Sequence, residues 1–125
     1  MVRGEYKLES KISIKDLNST IIFKVEGDFD NLLCIKYKNA ITEIIARKKA
    51  ELTIFDLSNV SFIDSSGIGL LLGRYKQIKE HSGRIIICGL NSNIKKTIAI
   101  SGIAMIIDTY EDIYENIKEN LSVYE

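Results

Sequence analysis

The sequence contains no proline, only two cysteines and only one histidine among its 125 residues. Without proline, nothing in the chain signals a kinked helix or a rigid linker, and this length fits one domain with a real core. Cys34 and Cys88 lie in apolar stretches without a metal-ligand spacing. We expect them to be buried free thiols in a reducing cytoplasm, with a disulfide between them as the alternative.

Net charge and long apolar runs are also lacking. Lys and Arg number 17 and Asp and Glu number 17, so the formal net charge is zero. A nucleic-acid binder usually carries a basic excess, so we expect no direct contact with nucleic acid. No apolar run approaches the ~20 residues that span a bilayer. Residues 1–10 lack the apolar segment of a signal peptide, so we expect a cytoplasmic protein without membrane contact.

The single histidine restricts the chemistry that the chain could catalyse. If Ser65 were a nucleophile it would need a general base, but His81 lies about 16 residues along the same predicted helix, roughly 24 Å away. Ile63 also replaces the first glycine of the nucleophile-elbow motif. The carboxylates Asp28, Asp30 and Asp64 are explained by loop capping as well as by metal binding. We therefore expect neither an enzyme nor a metal site.

Three glycines, Gly67, Gly69 and Gly73, open a predicted helix directly after a strand, as in dinucleotide-binding loops. The third glycine is one position late, and no acidic residue ends the following strand. The Gly-Lys-Ser/Thr sequence of a phosphate-binding loop is missing too. We expect no cofactor; Gly69 and Gly73 lie one turn apart and would allow a helix or a partner backbone to approach closely.

Apolar periodicity predicts strands alternating with helices. The expected strands are Lys11–Leu17, Thr20–Glu26, Leu52–Leu57, Arg84–Leu90 and Ala104–Asp108. Helices are expected after Asp30 or Asn31, from the corner at Asp64, from Asn91 or Ser92 to just before Gly102, and over Glu111–Leu121. After a polar break at Ser58-Asn59, the chain is expected to return to the core through Val60, Phe62 and Ile63. This order predicts an α/β fold with central parallel strands joined by right-handed crossovers.

The segment Asp64–Gly67 is the predicted corner between a strand and a helix. Apolar spacing becomes helical there, with an inward face predicted at Ile68, Leu71, Leu72, Tyr75 and Ile78. Small polar residues cap helix starts, and a helix N-terminus also accommodates a phosphate. Two hydroxyls and one carboxylate exceed what a single cap needs. The corner therefore fits either a cap alone or a phosphorylatable serine.

The run DSSGIGLLLGRYKQIK, within the segment that begins DLSNVSFID, closely resembles the anti-sigma factor antagonists of the STAS domain family, especially the sporulation type. The resemblance covers the chain from about Lys11 to its end. It implies a mixed sheet with about four helices mainly on one side, formed by residues 11–121. Residues 1–10 are then expected to be a loosely ordered segment, and residues 122–125 a tail.

In that family the serine after the motif aspartate is the phosphoacceptor, which here is Ser65, so Ser66 is left as the expected helix cap. The Gly-x-x-Asp pattern at Gly27 implies a docking role for Asp30. The following residues, 31–34, depart from the polar stretch usual in the family, which leaves the identity of the partner open. The implied partner-binding residues are Asp30, Asp64, Ser66, Gly67 and Ile68.

The resemblance implies a regulatory binding protein. The unmodified chain would bind an anti-sigma factor that is also an ATP-dependent serine kinase, and phosphorylation of Ser65 would release it. A serine phosphatase would reset the switch, so the chain would regulate transcription that depends on a sigma factor. Two alternatives remain open: a STAS scaffold subunit of a stress-signalling complex, and a sensor of nucleotides or other small ligands.

Overall fold

The computed structural model describes residues 10–112. That part of the chain contains five strands, three α-helices and one short 3-10 helix. In chain order they are β1 (Lys11–Leu17), β2 (Thr20–Phe29), α1 (Asn31–Lys48), β3 (Leu52–Ile63), α2 (Ser65–Glu80), β4 (Arg84–Cys88), α3 (Ser92–Ser101), the 3-10 helix Ile103–Met105 and β5 (Asp108–Tyr110).

The strands form one mixed sheet in the order β1-β2-β3-β4-β5. β1 and β2 are antiparallel, with Lys11 opposite Glu26 and Leu17 opposite Thr20. β2, β3, β4 and β5 run parallel to one another. A tight turn suffices between antiparallel strands, whereas parallel strands need crossovers, which α1, α2 and α3 provide. The predicted α/β class with a mixed sheet is therefore confirmed.

The three α-helices of residues 10–112 pack on one face of the sheet. Their apolar side chains share a core with alternate strand residues, and Phe23 stacks on Phe55 there with ring centroids 5.1 Å apart. On the opposite face, Ile22, Ile54 and Ile86 are also buried. The central strands are thus buried on both faces, which explains the continuous apolar runs in their sequence.

Both cysteines are free and buried, as predicted, and the alternative of a disulfide is wrong. Burial raises the pKa of Cys34 to about 11 and that of Cys88 to about 12. Neither thiol therefore forms the nucleophilic thiolate near neutral pH.

Several predicted strand boundaries are wrong. β3 does not stop at Leu57 but continues through Ser58-Asn59 to Ile63, because register shifts against β2 accommodate the polar residues. β2 likewise continues beyond Glu26 to Phe29. β5 begins only at Asp108, because Ile103 and Ile107 anchor a 3-10 turn where the strand was predicted.

The number of helices also differs. Residues 10–112 contain three α-helices where four were predicted for the domain. Most of the predicted fourth, Glu111–Leu121, lies outside the described residues, and neither Glu111 nor Asp112 is helical.

The inward face of α2 is rotated from the predicted one. The buried residues are Gly67, Leu70, Leu71, Arg74 and Ile78, whereas Ile68, Leu72 and Tyr75 are only half-buried. The sequence offers two overlapping apolar stripes, and spacing alone does not choose between them. The contact of Gly67 with β2 decides, since a Cβ atom on Gly67 would lie 2.6 Å from the Phe29 carbonyl oxygen and 2.8 Å from Ile63 Cγ1.

This contact gives a first prediction. Gly67→Ala should destabilise the fold by about 1–3 kcal/mol, because the new methyl group has no room against backbone. Gly69→Ala is the matched control, since a Cβ atom there meets nothing within 4 Å. It should raise stability by up to about 1 kcal/mol through helix propensity. Urea denaturation of both variants measures the difference; equal stabilities would contradict the proposed packing.

Candidate functional site

The predicted corner between strand and helix is present, and Asp64 holds it together. The Oδ1 atom of Asp64 accepts hydrogen bonds from the backbone N–H groups of Ser66 at 2.8 Å and Gly67 at 3.2 Å. The Asp64 N–H group in turn donates to the Phe29 carbonyl at 3.3 Å. The helix cap is therefore Asp64, and the prediction that Ser66 caps α2 is wrong. Ser66 lies inside the helix, so its side chain cannot accept from the free N–H groups of the first turn. The Asp64 carboxylate, two residues earlier, reaches these groups.

A second helix start lies beside the first. Asp30 caps α1 and accepts a hydrogen bond from the Leu33 N–H group at 3.1 Å. The two starts are linked by the Ser66 hydroxyl, which donates to Asn31 Oδ1 at 3.3 Å. Because β2 and β3 are parallel, α1 and α2 begin at the same edge of the sheet. The structure thus brings together Asp30, Asp64, Ser66 and Gly67, four of the predicted site residues.

Ser65 is the first residue of α2 and is exposed. Within residues 10–112, its hydroxyl group makes no hydrogen bond, whereas the Ser66 hydroxyl is half-buried and already paired. Ile68, the last predicted site residue, is half-buried on the following turn and packs against the core. Ser65 is therefore the hydroxyl group of this corner that is most available to a macromolecular partner.

The end of β2, just before Asp30, is held by a residue that the sequence analysis missed. The Ser10 hydroxyl oxygen accepts a hydrogen bond from the Asp28 N–H group at 2.9 Å. Next to it, Gly27 adopts a φ of +86°, which disfavours side chains, and a Cβ atom on it would lie 2.6 Å from Ser10 Oγ. No local pattern signals this contact, because its partners are far apart in the sequence.

Large apolar side chains are exposed on the elements that form the corner. Leu32 is 76% exposed and Ile35 69% exposed on the first turns of α1, and Phe62 is 51% exposed near the end of β3. Of the three residues predicted to return to the core, Val60 and Ile63 are buried as predicted, whereas Phe62 is exposed and the prediction for it is wrong. Large exposed apolar side chains such as these are candidates for contact with another protein.

The structure also bears on catalysis, metal binding and membrane insertion by this part of the chain. His81 lies at the opposite end of α2, where its ring nitrogen is 3.2 Å from the Ala50 carbonyl oxygen. Within residues 10–112, no three His, Cys, Asp or Glu side chains are grouped as metal ligands. No helix in this part of the chain is long and apolar enough to cross a membrane.

Comparisons with known proteins agree with this geometry. The family model of the STAS domain matches residues 11–120. An anti-sigma F factor antagonist from Paenibacillus polymyxa is 28% identical over 102 residues, which cover 82% of this chain and 87% of the relative. An anti-sigma-B factor antagonist from Listeria monocytogenes is 29% identical over 98 residues, covering 78% and 84% of the two chains.

Solved structures show the same fold. The anti-sigma factor antagonist SpoIIAA in its unphosphorylated form superposes with a TM-score of 0.77 at 22% identity, over 89% of this chain and 96% of that one. The phosphorylated form of SpoIIAA, from Bacillus, gives a TM-score of 0.68 at 23% identity, over 86% and 97% of the chains.

The capping geometry gives a second prediction. Asp64→Ala should lower the free energy of unfolding by about 0.5–2 kcal/mol, because two N–H groups lose their acceptor. Ser66→Ala should have a smaller effect, since it removes one long hydrogen bond at the surface. Guanidinium denaturation of both variants makes the comparison. A larger loss for Ser66→Ala would show that Ser66 fixes the corner.

Proposed function

This chain belongs to the STAS domain family, and we propose that it is an anti-sigma factor antagonist controlled by phosphorylation of Ser65. The observation that carries the proposal is the position of Ser65: an exposed, unpaired hydroxyl group at the start of α2, beside the start of α1. The relatives named as antagonists of anti-sigma F and anti-sigma-B factors support the same role. The protein would be a binding protein rather than an enzyme, acting in the cytoplasm.

The proposed partner is an anti-sigma factor that is also a serine kinase using ATP. The unmodified corner would offer it a neutral hydroxyl group, and the elements that form the corner also expose apolar side chains, Leu32 on α1 and Phe62 on β3. Burial of these side chains would supply binding free energy, and the sigma factor would be freed. The kinase brings the nucleotide, so this chain needs no cofactor, and a serine phosphatase would restore the hydroxyl group.

Phosphorylation would release the partner through charge. A phosphate adds about −1.5 to −2 charges at neutral pH. The N–H groups of Ser66 and Gly67 already bind the Asp64 carboxylate, so they are not available to a phosphate on Ser65. The new charge would face a partner surface that fits a neutral group. A poorly compensated buried charge costs several kcal/mol, which corresponds to an affinity loss on the order of a thousandfold.

The acceptor is tested directly. Incubated with the cognate kinase and ATP, the protein should gain one phosphate, located on Ser65 by tandem mass spectrometry. Ser66→Ala should still be phosphorylated, whereas Ser65→Ala should not. A phosphate found on Ser66 or Ser101 would refute the assignment.

Charge at this position is tested by Ser65→Asp, which should weaken binding to the anti-sigma factor. Its effect should be smaller than that of phosphate, because a carboxylate carries less charge. Ser92→Asp is a closely matched control. Ser92 is the first residue of α3, and its preceding residue, Asn91, caps that helix as Asp64 caps α2. Calorimetry should show unchanged affinity for Ser92→Asp; equal affinities for all three proteins would argue against electrostatic release.

Phosphorylation should leave the fold in place. Leu71 and Ile78 lock α2 into the core, and close-packed cores do not shift gradually. Amide chemical shifts should therefore change near Ser65 and in residues 27–31, and little in β4. Widespread shifts in the central strands would indicate an allosteric rearrangement instead.

A further inference from the structure

A groove of about 420 Å³ runs between α1 and α2, and it begins at the corner that carries Ser65. Ser66 lines its upper end, and Arg74, two turns further along α2, lines its lower part. The charged residues among those that line it are Lys38 and Arg74, both positive. The groove therefore favours an anionic occupant.

Among residues 10–112, Arg74 is buried without a counter-ion. Its side chain is only 8% exposed, and among residues 10–112 neither Nε nor Nη1 has a hydrogen-bond acceptor. Removal from water lowers the pKa of this guanidinium. Arginines are almost never buried unless they are paired. Arg74 therefore carries hydrogen-bonding capacity that the described part of the chain does not use.

Two glycines in the groove also leave space for an occupant. Gly69 and Gly73 lie one turn apart on α2 and line the groove beside Arg74. A Cβ atom on either would meet nothing within 4 Å, in contrast to Gly67, where the fold needs glycine. Glycine inside a helix is less stable than alanine. Packing among the described residues thus does not require Gly69 or Gly73, and their missing side chains leave the floor of the groove open.

We propose that this groove is a docking site for a segment of the partner protein that carries an aspartate or glutamate, whose carboxylate pairs with Arg74. The proposal rests on the proposed function, because the groove is continuous with the Ser65 corner and one partner would cover both. The planar guanidinium matches a carboxylate through two parallel hydrogen bonds. The exposed side chain of Ile35, which also lines the groove, suits a protein segment better than a small, hydrated anion.

This arrangement also strengthens the phosphorylation switch. A phosphate on Ser65 would sit at the head of the groove and would repel an acidic segment that enters it. The same modification would thus act on both parts of the interface.

The test is Arg74→Met, which removes the charge and keeps most of the length. Since Arg74 Nε and Nη1 lack a partner among residues 10–112, the melting temperature should stay the same or rise. Affinity for the anti-sigma factor that phosphorylates Ser65 should fall about ten- to a hundredfold, as expected for lost hydrogen bonds to a charged group. Lys76→Met, on the exposed side of α2, is the control and should leave the affinity unchanged.

A second variant fills the groove. Gly73→Ala should raise the melting temperature and weaken binding to the same anti-sigma factor. Because one variant removes charge and the other adds volume, a loss of affinity in both without a loss of stability supports a docking groove.

Three results would overturn the inference. A lower melting temperature of Arg74→Met would assign Arg74 to the fold, for instance through Gln77, whose Oε1 atom is also buried without a partner among residues 10–112. Unchanged affinity of both variants would remove the groove from the interface. Binding of ATP or inorganic phosphate to the wild type but not to Arg74→Met would make it a small-anion site. If the wild type itself bound no anti-sigma factor, the proposed function would fail instead.

Discussion

The parallel pairing of β2 with β3 is the constraint on which the rest of the site depends. Because the two strands are parallel, they end at the same edge of the sheet, so the helices that follow them begin side by side. The Asp64 N–H group bonds to the Phe29 carbonyl, and this bond ties the start of α2 to the end of β2. Gly67 allows the start of α2 to lie this close to Phe29 because glycine has no side chain. Without the pairing, Asp30 and Asp64 would cap two unrelated helices and Ser65 would be an ordinary surface residue.

Local signals made much of this architecture predictable from the sequence. β1 has the predicted limits, and the α/β class with a mixed sheet follows from alternating periodicities. The corner at Asp64 is visible because apolar spacing changes there from that of a strand to that of a helix. The role proposed for Ser65 comes from the family resemblance, and the exposure of its side chain is consistent with that proposal.

What the sequence does not reveal depends on contacts between distant residues. Ser10 holds Asp28 through one hydrogen bond, and no local pattern indicates it. The rotation of α2 is set by the contact of Gly67 with β2, so the helical spacing alone predicted a face that shares Leu71 and Ile78 with the buried one but is offset from it. Arg74 was therefore not expected to be buried, since arginine is normally a surface residue. The extension of β3 through Ser58-Asn59 likewise needs its pairing with β2.

The two capping carboxylates determine how the corner can respond to a phosphate. A helix N-terminus is usually a good site for an anion, because its free N–H groups and its dipole both favour negative charge. Here Asp64 already occupies the N–H groups of Ser66 and Gly67, and Asp30 occupies that of Leu33. A phosphate on Ser65 would therefore be added to a corner whose positive ends are largely compensated. The free protein would then have little reason to rearrange around the new charge, and the proposed partner would meet it directly. A switch built in this way would need no conformational change, because Asp64 already binds two of the N–H groups that could have neutralised a phosphate on Ser65.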